Sequence, residues 1–84
     1  MVLALEQGAA ALVFVHNHPS GDPEPSPEDR RLTRDLVFSS SLLNIQVLDH
    51  IIIGNNRYFS FADDGLIRQF NLEYSQILKS PLNP

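Results

Sequence analysis

The chain has 84 residues, of which 43% are hydrophobic and 19% charged, and it contains no cysteine. This length allows at most one domain, and the lack of cysteine excludes disulfides, thiolate zinc sites and cysteine nucleophiles. The formal net charge of −4 leaves no basic surface of the kind that nucleic-acid binding requires, so we expect no nucleic-acid partner.

The N-terminal segment MVLALEQGAAALVFV is apolar, but it has no basic start and is too short to cross a bilayer. We therefore expect a cytoplasmic protein with no membrane partner. Residues 2–9 have the Ala, Leu, Glu and Gln composition of a helix end, with Gly8 as its stop. Ala10 to His16 predicts a buried strand, because it is a short continuous apolar run that ends at a turn signal.

Helix-start signals are dense from Ser26 onward, and they predict a helix to about Leu43. Ser26 is the predicted N-cap, Pro27 takes the first helical position, and Glu28 and Asp29 make the first turn acidic. Apolar residues follow at helical spacing, namely Leu32, Leu36 and Leu43. This stripe predicts the helix face that packs against the rest of the domain.

The segment Ile45–Ile53 is apolar on both faces and predicts a central strand parallel to the first. A Gly-Asn-Asn turn then leads to an antiparallel strand over Arg57–Phe61. The fold class predicted is α/β with a mixed sheet of about three strands. We place the domain at residues 1–66 and a C-terminal tail at 67–84, in which FNLEYSQIL could form a short helix without a cap.

The segment HNHPSGDPEPSPED contains the strongest functional signal. His16 and His18, two residues apart at a strand end, point to the same face, so both imidazoles can reach one cation. Asp29 is the natural third ligand, and the four prolines of the loop restrict its path. Two His and one Asp leave a fourth zinc position for water, as in catalytic sites.

Each of these residues also has a purely structural explanation. Ser26 and Asp29 are spaced as a capping box, which accounts for the carboxylate without a metal. His50, which follows Asp49 on the central strand, is either a packed, hydrogen-bonded histidine or a fourth ligand, and the first is favoured. Tyr58, Phe59 and Phe61 are expected in the sheet and core, not in a base-stacking surface.

The spacing His16-x-His18, seven residues, then Ser26-x-x-Asp29 resembles the JAMM (MPN-plus) metalloprotease motif, and together with LDHIIIG and RYFSF it resembles the RadC branch. The resemblance covers residues 1–66, as the C-terminal portion of such a domain. It implies an α/β/α sandwich similar to cytidine deaminases and Zn²⁺ bound by His16, His18 and Asp29. Ser26 would help stabilise the oxyanion during amide or isopeptide hydrolysis by a metal-activated water.

The family's general base is a Glu on a strand well upstream of the His pair, whereas Glu6 is predicted on the helix just before it as a solvated residue. We therefore expect this chain to bind zinc with little peptidase activity of its own. The alternative is a non-catalytic metal-binding or protein-interaction domain in a protein with a historical DNA-repair label. The partner expected is a protein or peptide substrate, and association with further copies of the chain stays open.

Two other enzyme classes are disfavoured. The letters HNH in His16-Asn17-His18 coincide with the name of a nuclease motif whose three residues lie tens of positions apart. A zinc deaminase needs His-x-Glu and Cys-x-x-Cys, and the chain contains neither.

Overall fold

The computed structural model describes residues 2–6 and 9–79, with side chains over 10–79. The elements in chain order are β1 (Val2–Glu6), β2 (Ala9–Asn17), α1 (Pro27–Leu42), β3 (Ile45–Ile53), β4 (Tyr58–Ser60) and α2 (Leu66–Lys79). The strands form one sheet in the order β1-β2-β3-β4. Because β2 and β3 are parallel while the other two pairs are antiparallel, the predicted mixed α/β sheet is confirmed.

The prediction of a helix over residues 2–9 is wrong, since Val2–Glu6 is strand β1. It pairs antiparallel with β2, with Val2 opposite Val13 and Glu6 opposite Ala9. The edge of β2 offers a row of backbone donors and acceptors, and pairing satisfies them. That gain outweighs a helix preference of only about a few tenths of a kcal/mol per residue. The predicted stop at Gly8 lies outside the described residues.

The β2–α1–β3 unit follows the predicted order. Strand β2 extends one residue beyond the prediction at each end, and β3 has the predicted bounds. In the parallel register Phe14 lies opposite His50 and His16 opposite Ile52, with a register shift between Leu12 and Val13. The register therefore places His16 diagonally across from His50 on the neighbouring strand.

Helix α1 begins after its predicted N-cap Ser26 and ends at Leu42, but it buries a different face. The buried residues are Asp29, Thr33, Val37 and Ser40. Leu32 and Leu43 of the predicted stripe are 49% and 68% exposed, so that prediction is wrong. The buried face combines polar side chains with the core residue Val37, and Thr33 lies one residue, about 100° of rotation, away from Leu32.

The core lies between the sheet and the two helices, and consists of Val37, Val47, Ile52, Phe61, Ile67 and Phe70. Helix α2 contributes Ile67 and Phe70 and contacts both α1 and β3. Because of this packing, α2 is longer than the short helix predicted for the tail. Residues 80–84 of that tail lie outside the described residues. None of the described helices is long and apolar enough to cross a membrane.

The other face of the sheet is not covered by a helix within residues 10–79. Val15, Ile53 and Tyr58 lie there with 42%, 41% and 64% exposure. An open groove of about 700 Å³ runs along β3 and β4 on this face. The described chain is thus a helix layer packed on one face of a mixed sheet, and His16 and His50 lie on the helix-covered face.

Candidate metal centre

The polar cluster lies at the carboxyl end of β2, where the chain turns into the loop before α1. The loop is fixed to the β3–β4 hairpin, because Asn55 N–H donates to the Gly21 carbonyl at 2.8 Å. Gly21 has φ +82°, and a Cβ on Gly54 would overlap the Gly21 carbonyl. This close backbone approach holds the loop in one path and returns the first turn of α1 to the histidines.

The His18 ring has a polar partner at each nitrogen. Its Nδ1 lies 2.8 Å from the Asp22 carbonyl oxygen, which can only accept, so Nδ1 carries the proton. In the neutral ring, Nε2 then has a lone pair, and it lies 3.0 Å from Asp29 Oδ2. A lone pair and a carboxylate oxygen at this distance repel unless a cation, either a proton or a metal ion, lies between them. A carbonyl on the remote nitrogen is the usual support of a metal-binding histidine.

His16 completes the group from the more exposed side. Its Nδ1 lies 3.8 Å from Asp29 Oδ1, and its side chain is 40% exposed. The candidate ligand atoms of His16, His18 and Asp29 all lie within 4.8 Å of one another. Two ligands of a tetrahedral zinc at ordinary bond lengths are roughly 3.4 Å apart. The observed spacing therefore fits such an ion after small side-chain adjustments.

Asp29 is held by the capping box that the sequence predicts. Its backbone N–H donates to Ser26 Oγ at 3.0 Å, and its Oδ2 accepts from the Ser26 N–H at 2.8 Å. Burial opposes ionisation of this carboxyl, but the backbone and side chain of Ser26, then His18 and His16, together lower its pKa below the ordinary value. Asp29 is therefore an ionised, oriented acceptor, and its capping role and a ligand role are compatible.

His50 lies beneath the group and is the packed, hydrogen-bonded residue that was the favoured alternative. It is 2% exposed, and its Nδ1 lies 2.6 Å from Thr33 Oγ1. Burial, followed by the charge of His16, lowers the pKa of His50 below its ordinary value, which favours the neutral ring. Among the described residues it is not one of the three side chains that could share a metal ion.

The remaining predicted residues lie away from the group or have structural roles. Glu6 is on β1, not on a helix, and pairs with Ala9. Ala9 and His16 are seven residues apart on one strand, about 23 Å, so Glu6 cannot reach the site. The other acidic residues of the loop, of the first turn of α1 and of the turn after β4 are exposed, namely Asp22, Glu24, Glu28, Asp63 and Asp64.

Sequence reasoning missed Thr33 and the hydrogen bonds of Asp49. Thr33 Oγ1 donates to the Asp29 carbonyl at 2.7 Å, so the same oxygen accepts the Nδ1–H of His50. The available signal was its position four residues after Asp29, which places both on one helix face. Asp49 accepts from the backbone N–H groups of His50 and Ala62 and from Ser60. Nothing in the local sequence indicates this tertiary arrangement.

Comparison with known proteins identifies the domain. The family model for the RadC-like JAB domain matches residues 1–66. A UPF0758 protein of Trichlorobacter lovleyi is 56% identical over 64 residues, and one of Alkaliphilus metalliredigens is 52% identical over 66. A UPF0758 protein of Methanosarcina acetivorans is 54% identical over 65 residues. These matches cover 76–79% of this chain but only 28% of each relative, so the chain spans less than a third of their length. The chain belongs to the RadC-like JAB domain family.

Proposed function

We propose that this chain carries the zinc site of a JAMM-type hydrolase domain that cleaves amide or isopeptide bonds. The observation that carries the proposal is the convergence of His16, His18 and Asp29, with the remote nitrogen of His18 held by a carbonyl. The donor set of two imidazoles and one carboxylate suits zinc and leaves a position for water.

The residues of this chain would have separate roles in binding the metal and in stabilising the oxyanion. When bound, zinc polarises a carbonyl and lowers the pKa of a coordinated water to about 7. His18 and Asp29 are pre-oriented by Asp22 and Ser26, so little order remains to be imposed on binding. Ser26 has a hydroxyl beside Asp29, and such a donor is what oxyanion stabilisation requires.

Hydrolysis also needs a positioned base, a contribution worth roughly 10²–10⁴-fold. Among residues 10–79 the group of possible ligands contains no Glu, and Glu6 is too remote. We infer that the base comes from another part of a longer protein, because the relatives extend well beyond this match. The isolated chain is then a zinc-binding domain with little or no peptidase activity.

We place the protein in the cytoplasm.

Zinc stoichiometry tests the proposal. Protein stripped with chelator and reloaded with zinc is expected to hold one ion per chain by elemental analysis, and His16→Ala/His18→Ala is expected to hold none. Asp63→Ala/Asp64→Ala removes two exposed carboxylates that lie outside the ligand group and serves as the double-variant control. Equal zinc in wild type and the histidine double variant would contradict the assignment.

A non-catalytic metal-binding or interaction domain is the second candidate, favoured by the lack of a Glu in the described site. Zinc-loaded short chain and a full-length relative are compared on one amide substrate. Chelator-sensitive turnover by the longer protein alone supports the hydrolase. Turnover by neither, although both bind zinc, favours the second candidate.

We also propose that the partner is a protein or peptide and that duplex DNA is not bound. The support is the net charge of −4. In a fluorescence titration at physiological salt, no binding is expected in the micromolar range. Salt-sensitive micromolar binding would contradict this and would revive a repair role.

A further inference from the structure

We propose that His50 is a positioning residue that fixes the ring plane of the metal ligand His16 by stacking against it. The inference rests on the proposed zinc site, and it adds a residue outside the ligand set. His50 lies on β3 beneath the group, diagonal to His16 across the parallel strand pair. Its function is to order a ligand that the surrounding hydrogen bonds leave unsupported.

The two ligand histidines are supported differently. His18 donates from Nδ1 to the Asp22 carbonyl at 2.8 Å, which sets its tautomer and orientation. Within the described part of the chain, His16 makes no corresponding hydrogen bond, and its Nδ1 lies 3.8 Å from Asp29 Oδ1. A metal-binding histidine without an outer hydrogen bond needs another restraint on its ring. Ring contacts supply that restraint.

Three nearly parallel rings lead from the core to the site. Phe61 is fully buried, and its ring stacks on His50 at 4.9 Å between centroids and 9° between planes. His50 in turn stacks on His16 at 5.9 Å and 14°. These distances lie in the range of favourable offset stacking. Because Phe61 cannot move without disturbing the core, the stack transmits a fixed plane to the half-exposed His16.

Thr33 prevents rotation of the middle ring. Thr33 Oγ1 donates to the Asp29 carbonyl at 2.7 Å and accepts from His50 Nδ1 at 2.6 Å. One hydroxyl therefore links the ring beneath His16 to the backbone of the third ligand. This link explains why a polar residue is fully buried at this position of α1. The arrangement orients His16 and Asp29 relative to each other before a metal binds.

The test compares His50→Leu with Val37→Ala in the full chain. Val37 is a buried core residue of α1 outside the ring stack, so its truncation controls for general destabilisation. Zinc affinity is measured by competition with a chromophoric chelator, and ligand geometry by the visible spectrum of cobalt-loaded protein. His50→Leu is expected to weaken zinc binding about 10–100-fold and to change the cobalt spectrum. Val37→Ala is expected to lower the melting temperature by a comparable amount. It should leave both the zinc affinity and the cobalt spectrum unchanged.

Three further substitutions test the means by which His50 acts, and they carry the test if His50→Leu does not fold. His50→Phe retains a flat ring but loses the hydrogen bond to Thr33, so it is expected to weaken zinc binding by less than His50→Leu does. Thr33→Val removes the hydroxyl and is expected to weaken zinc binding, whereas Thr33→Ser restores it. These effects are read in the metal affinity and the cobalt spectrum, not in activity.

Wild-type protein that binds neither zinc nor cobalt would refute the proposed function itself. If wild type binds, the positioning role is overturned by any of three results. These are unchanged affinity and spectrum in His50→Leu, an equal loss in Val37→Ala, or a loss in folded His50→Phe as large as in His50→Leu. A loss that is largest in His50→Leu, smaller in His50→Phe and Thr33→Val, and absent in Val37→Ala supports it.

Discussion

The loop–helix junction at Asp29 and the β3–β4 corner at Asp49 each contain an aspartate close to histidine, yet the two carboxylates are used differently. Asp49 accepts from the N–H groups of His50 and Ala62 at 2.7 and 2.9 Å and from the Ser60 hydroxyl at 2.5 Å. Asp29 accepts from one backbone N–H, and both of its oxygens face imidazoles.

This difference separates a structural carboxylate from a candidate ligand. The donors around Asp49 are fixed protein groups that use both of its oxygens and join β3 to the turn after β4. The partners of Asp29 are ring nitrogens, and in the neutral His18 ring one of them directs its lone pair at the carboxylate. A histidine beside an aspartate in sequence is therefore not evidence of a metal site, whereas convergence of lone pairs in space is.

The largest expected effect comes from Asp29→Asn. The amide oxygen can still accept from Ser26, so the cap is kept and the free energy of unfolding should change by about 1 kcal/mol or less. Zinc affinity should fall by more than about 100-fold, because a ligand contributes more than an outer-shell partner. Chelator competition and urea unfolding in EDTA measure the two quantities. Unchanged affinity would remove the distinction between the two aspartates.

Asp49→Ala is expected to show the opposite pattern. It leaves the buried donors of His50 and Ser60 without an acceptor, and we expect a loss of about 2–4 kcal/mol in the free energy of unfolding. Zinc affinity of the folded variant should fall far less than in Asp29→Asn. A variant as stable as wild type would show that the corner does not depend on this carboxylate.

Zinc should stabilise the protein through the loop–helix junction at Asp29 and not through the β3–β4 corner at Asp49. At a free zinc concentration one hundred times Kd, binding adds about 2.7 kcal/mol to the free energy of unfolding. The rise in melting temperature is expected in wild type, and Asp29→Asn should lack it at the same zinc concentration. An equal rise in both proteins would locate the bound ion elsewhere.

The smallest effect is expected at the serines beside the two aspartates. Ser26→Ala removes the N-cap acceptor and should cost about 1 kcal/mol, with Ser26→Thr as the conservative control. Ser60→Ala removes one hydroxyl bond of the Asp49 corner and should cost about 1 kcal/mol as well. Only the first should weaken zinc binding. Equal zinc affinity in both alanine variants would mean that Ser26 acts as a cap alone.

Local signals predict part of this structure well. Ser26 followed by Pro27 marks the start of α1, and the β-branched run marks β3 at both ends. The same signals place His16, His18 and Asp29 together, since a strand end and a helix start joined by one loop are neighbours in space. For α1 and β3 the deciding interactions lie within a few residues in sequence, whereas the loop that returns Asp29 to the histidines is also held by the β3–β4 hairpin.

The incorrect predictions concern features set by distant partners. β1 is the exception, because its partner β2 follows it directly in sequence, whereas α2 is long because Ile67 and Phe70 reach the core. The buried face of α1 follows Thr33 and its bond to His50, seventeen residues away, although the leucines suggest another face. No local pattern contains that information.

The central claim is that one metal ion binds between His16, His18 and Asp29. A crystal structure of zinc-loaded protein, with anomalous data collected on both sides of the zinc absorption edge, tests it most directly. The account predicts one zinc peak per chain, about 2.0–2.2 Å from a nitrogen of each histidine and from an Asp29 oxygen. No peak there at saturating zinc, or a peak on other residues alone, would contradict it.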